Sequence, residues 1–71
     1  MHRSFYQFTL KYRGKIDADD YSRFSEAMFL DHSFPKSETD FERLSKYIEE
    51  KAHPIMKASV FDEIWREYID Q

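Results

Sequence analysis

Apolar side chains return at intervals of three, four and seven residues in four separate stretches of the chain, which is the repeat of one buried helix face. Phe5, Phe8, Thr9 and Tyr12 form the first stripe. Tyr21, Phe24 and Met28 form the second, with Ala27 beside them. Phe41, Leu44, Ser45 and Ile48 form the third, widened by Tyr47, and Phe61, Ile64, Trp65 and Tyr68 the fourth, extended by Ile69. Four helices are therefore expected, joined by short loops at 13–16, 32–38 and 53–58, with no strand and no internal repeat.

Polar residues at the ends of these stripes place the boundaries. Ser4-Phe5-Tyr6-Gln7 reads as a capping box, and Thr39-Asp40-Phe41-Glu42 as a second. Ser59-Val60-Phe61-Asp62 is a looser version of the same signal. Asp17 can cap the second helix, with Asp19 and Asp20 adding negative charge to its first turn. Gly14, the one glycine, stands where a left-handed residue would end the first helix. Pro35 disfavours helical geometry at Phe34, so the second helix should stop around Asp31. Pro54 should end the third at or before His53. Glu42 with Lys46 and Asp62 with Arg66 are favourably oriented i, i+4 pairs on outer faces.

Length and composition explain why the stripes are so aromatic. Seventy-one residues make a single helical domain, 1–71, close to the size below which a core alone rarely stabilises a fold. With no Cys there is no disulfide or thiolate metal site to help. Seven Phe, five Tyr and one Trp compensate, since each ring buries about 150–250 Å². Trp65, Phe41, Phe24 and Phe8 are expected to be buried together. Tyr6, Leu10, Phe29, Leu30 and Ile55 lie off the main spines or in loops and are the candidates for an exposed apolar patch. For Phe29 and Leu30, burial where the second helix turns into the Phe34-Pro35 loop is the favoured placement.

Charge is unevenly spread. Residues 1–15 hold Arg3, Lys11, Arg13 and Lys15 and no acid, giving +4, while the remainder holds seven Lys/Arg against fourteen Asp/Glu, giving −7. The basic segment, with Tyr6 and Tyr12 interleaved, is the candidate anion or nucleic-acid contact. The same cations also suit a helix C-terminus and the acids that follow it, and the acidic body repels a polyanion. His2, His32 and His53 form no HExxH or i, i+4 pair. Asp17, Asp19 and Asp20 lack the alternating oxygen ligands and glycine turn of a calcium loop. One glycine builds neither a phosphate loop nor a nucleophile elbow. These patterns supply no catalytic, cofactor or metal residues, and an enzyme is not expected. No apolar run has the length of a signal-peptide core or a membrane span, so a soluble, cytoplasmic protein is expected.

Four ordered motifs add a resemblance that spans essentially the whole chain. Ser4-Phe5-Tyr6-x-Phe8, Asp31-His32-Ser33-Phe34-Pro35-Lys36, Asp40-Phe41-x-x-Leu44-Ser45-x-Tyr47-Ile48-Glu49 and Ser59-Val60-Phe61-Asp62-Glu63-x-Trp65-x-x-Tyr68 resemble the YozE-like family, small uncharacterised proteins of low-GC Gram-positive bacteria. The resemblance implies an all-α, compact bundle of about four short helices of the SAM-like (sterile alpha motif-like) kind. It implies no activity and no site residues, because fold does not fix function. The expected function is a non-catalytic protein-interaction module whose partner is another protein. The alternative is a nucleic-acid-associated protein using Arg3, Lys11, Arg13 and Lys15. Partner identity and oligomeric state are not written in the pattern.

Overall fold

A computed structural model describes residues 3–14 and 19–70. Among them are four α-helices, α1 (Phe5–Thr9), α2 (Asp20–Leu30), α3 (Phe41–Lys51) and α4 (Ala58–Ile69), and a single 3₁₀ turn, Leu10–Tyr12, continuing α1. No strand occurs among the described residues, and the fold is all-α.

The first capping box forms as the sequence predicts. The Gln7 N–H donates to the Ser4 hydroxyl at 3.2 Å and the Ser4 N–H to the Gln7 side-chain oxygen at 3.3 Å. The Ser4 hydroxyl in turn donates to the Lys36 carbonyl at 2.6 Å, tying α1 to the α2–α3 loop. Beyond Thr9 the helix tightens into the 3₁₀ turn, and Gly14 adopts φ +78°, a conformation that favours glycine.

The other starts are shifted from expectation. Asp19 caps α2, accepting the Ser22 N–H at 2.8 Å; Asp17 lies outside the described residues. Asp40, not Thr39, caps α3 by accepting the Arg43 N–H at 3.0 Å. The reason is local: the Glu38 carboxylate takes the N–H groups of Thr39 and Asp40 at 3.2 and 3.1 Å. Ser59 sits inside α4, because the Phe61 N–H already bonds the Lys57 carbonyl at 2.9 Å. α2 ends at Asp31 as expected. α3 ends at Lys51, two residues before His53, and is capped by Ala52 in the left-handed region (φ 49°).

The core is a ring cluster centred on Phe5, which is fully buried. Its ring meets Phe61 at 5.1 Å, Tyr68 at 5.8 Å, Trp65 at 6.0 Å and Phe24 at 6.4 Å between centroids. Most of these pairs are edge-to-face, the arrangement the ring quadrupole favours. Phe8, Met28, Leu44, Ile48 and Ile64 complete the interior. Two loop residues join them: Phe34, packed between Tyr6 and Tyr47, and Met56.

Burial corrects three expectations. Phe8 and Phe24 are buried, but Trp65 is only half-buried and Phe41 is 39 % exposed; both lean on Phe61 from outside. Tyr6 is core. Phe29 and Leu30 are exposed, at 41 and 69 %, because Phe34 folds back from the loop and seals that end of the bundle in their place.

Candidate binding groove

Leu30, unburied at the end of α2, stands beside an open groove of about 660 Å³. One wall is α2, which contributes Ser22, Arg23, Glu26, Ala27 and Leu30. The loop after α3 contributes His53 and Ile55, and Asp31, His32, Ser33 and Lys51 complete the lining. Ala27, Leu30 and Ile55 are its apolar residues, and Ile55 is 44 % exposed. These side chains have no place inside because the ring cluster and Phe34 already fill the interior.

A polar node fixes the shape of this end. The Asp31 carboxylate accepts hydrogen bonds from the Tyr47 hydroxyl, from the Ser33 N–H at 3.1 Å and from the Lys51 ammonium at 3.2 Å. Burial pushes the Asp31 carboxyl up, but the hydrogen bonds from Tyr47, Ser33 and Lys51, with the Lys51 charge, outweigh it and hold the group below the usual carboxylate range. The Tyr47 phenol is pushed up to about 12 by its own burial, by its bond to Asp31 and by that negative charge. Tyr47 and Lys51 are one turn apart on α3, so the node clamps α3 to the C-terminus of α2. Across the groove, His53 Nδ1 accepts the Ile55 N–H at 3.0 Å. That bond leaves the neutral ring's proton on Nε2, as a donor.

Three cations of the basic segment, Arg3, Lys11 and Arg13, lie within the described residues. Arg3 is exposed, and its carbonyl accepts the Tyr68 hydroxyl at 2.6 Å. The Lys11 ammonium lies over the Phe8 ring at 4.0 Å and near Tyr12 at 5.2 Å. The Arg13 guanidinium stacks on Phe29 at 3.5 Å and donates to Glu26 at 2.6 Å. Lys15 lies outside the described residues. Of the histidines, His32 and His53 line the groove, and His2 is outside the described residues. Among the described residues no three His, Cys, Asp or Glu side chains converge as a metal site. No helix there is long and apolar enough to cross a membrane.

Sequence reasoning grouped Leu30 and Ile55, with Tyr6, Leu10 and Phe29, as candidates for an exposed apolar patch, but did not join them to His32 and His53. It missed the Asp31–Tyr47–Lys51 node, although Tyr47 and Lys51 at i, i+4 on an otherwise polar flank of α3 were a usable signal. A second, shallower hollow of about 300 Å³ lies between Phe41 and Trp65, with Asp62 and Arg66 beside it.

Comparison with known proteins accounts for almost the entire chain. The family model described as the YozE SAM-like fold matches residues 4–70. A UPF0346 protein of Limosilactobacillus reuteri is 41 % identical over 70 residues, covering 99 % of this chain and 96 % of the relative. The UPF0346 protein YozE of Bacillus subtilis is 41 % identical over 66 residues, covering 93 % of this chain and 89 % of the relative. One from Geobacillus kaustophilus is 38 % identical over 71 residues, covering all of this chain and 99 % of the relative.

Proposed function

This chain belongs to the YozE SAM-like family, and from that membership, which carries no assigned activity, we propose that it is a non-catalytic protein-interaction module of the cytoplasm. The segment it binds comes from another protein and docks in the groove between α2 and the loop carrying Ile55. The supporting observation is the placement of Leu30 and Ile55, 69 and 44 % exposed, along one groove. Exposed apolar surface gathered in a concavity is characteristic of binding sites. The carboxylates Glu26 and Asp31 beside it are engaged in ion pairs within the chain.

Photo-crosslinking tests this reading. A benzoylphenylalanine placed at Leu30 or Ile55 in cells should give a discrete protein adduct, reproduced with the purified partner. The same probe at Glu49, exposed on α3, should not. Equal adducts from all three positions, or none from the groove, would remove the proposal. The alternative reading, nucleic-acid association, rests on the cations Arg3, Lys11, Arg13 and Lys15, of which Arg13 is held by Glu26. It requires binding that weakens steeply with salt.

A further inference from the structure

We infer that the groove receives a short amphipathic helix of a partner protein, one bearing Leu-type side chains flanked by Asp or Glu. This inference rests on the groove reading above and specifies its occupant.

Charge sets the flanks. Both acids lining the groove are already neutralised from within the chain, Glu26 by Arg13 at 2.6 Å and Asp31 by Lys51 at 3.2 Å. Arg23 is exposed on the α2 wall and makes no ion pair among the described residues. His53, with Nδ1 occupied by the Ile55 N–H, presents an Nε2 donor, and His32 adds a second imidazole. The groove thus has cationic and donor groups to spare and no uncompensated anion, on a protein whose formal charge is −3. A carboxylate-bearing ligand completes these groups, whereas a basic one meets only acids that are already paired.

Backbone chemistry sets the conformation. A peptide that binds as an added strand needs a sheet edge for its own N–H and C=O groups, and no strand exists among the described residues. A helix satisfies its backbone internally and needs only side-chain complementarity. The α2 wall runs from Ser22 to Leu30, about 12 Å at the helical rise, which matches roughly two turns of a partner helix. Apolar side chains at i and i+4 on that partner would lie against Leu30, Ala27 and Ile55.

The test is a selection on the full chain from a phage-displayed library of helices of about 14 residues, the length at which an isolated helix becomes populated. Two face positions and their four flanking positions are randomised. Enriched peptides are then synthesised and measured by fluorescence anisotropy. The expected result is Leu, Ile or Met on the face with Asp or Glu in the flanks. Binding should weaken about tenfold with Arg23→Glu, the effect of reversing one rim charge at low salt, and more with Leu30→Asp. Both positions are exposed, and circular dichroism verifies that the variants fold. Enrichment of basic flanks that still depends on Leu30 overturns this inference and leaves the groove reading standing. Failure of any peptide to enrich overturns the inference, and binding indifferent to Leu30→Asp overturns both.

Discussion

Around α1 and α4, Phe5 touches four other rings, whereas at the α2–α3 junction a carboxylate, a phenol and an ammonium hold the chain and large apolar side chains face outward. The first region gains stability from burial of apolar area, which carries no charge of its own. The second gains it from directed bonds around Asp31, which fix a geometry while leaving Leu30 and Ile55 unburied. In a small domain this division lets one end specify the fold and the other present a shaped surface.

Four substitutions would break or sharpen the contrast. Phe5→Ala should have the largest effect, about 3–5 kcal/mol, enough to leave the chain unfolded by circular dichroism at room temperature. Tyr47→Phe should cost about 1.5–3 kcal/mol, the worth of a hydrogen bond to a charged group, read by urea denaturation. Thr9→Val should stabilise by up to about 1 kcal/mol, because the Thr9 hydroxyl is buried without a hydrogen-bond partner and the substitution removes that desolvated group at similar shape. Leu30→Ser should change stability by about 0.5 kcal/mol or less, although it alters the groove. A destabilisation by Leu30→Ser as large as that by Tyr47→Phe would erase the distinction between the two ends.

The two regions should differ most in their response to acid, because burial also pushes up the Tyr68 phenol of α4. The folded Asp31 carboxyl lies below its ordinary range. Its contribution is therefore present above the unfolded value, about 3.9, and is lost as pH falls through the lower folded value. The Tyr47 phenol runs the other way: its raised value, about 12 against 10.0, stabilises the fold below pH 10 and the contribution disappears between pH 10 and 12. In Tyr47→Phe the alkaline loss attributable to this phenol should vanish and the acid loss should shrink, whereas Thr9→Val should leave both unchanged.

The sequence is most legible where one interaction decides the outcome. Ser4 and Gln7 are three residues apart, and their reciprocal bonds form as the spacing predicts. The four apolar stripes correspond to four helices because periodicity reports directly which face must be buried. Thr39 and Ser59 misled because several neighbouring residues offer similar caps, and Glu38 and the Lys57 carbonyl, respectively, claim the relevant N–H groups first. Phe29 and Leu30 misled for a different reason: which of several large side chains fills the last core volume depends on the path of a loop, and Phe34 arrives there from outside any periodic segment. The groove inherits that dependence on loop path, since its lining comes from residues 22–33 and 51–55, which the Asp31 node joins.

The Tyr68 hydroxyl reaches the Arg3 carbonyl across 65 positions of sequence, and the rings of Phe5 and Phe8 both rest on Tyr68. As a nascent chain emerges, α1 can therefore find its main packing surface only after α4 has been synthesised. Until then Phe5 and Phe8 lack the partner that covers them, and the core closes late, through contacts whose loop closure spans nearly the whole described chain. Interrupting translation before Tyr68 should leave a polypeptide that binds chaperones and is readily cleaved by proteases, however well its first three helices are encoded.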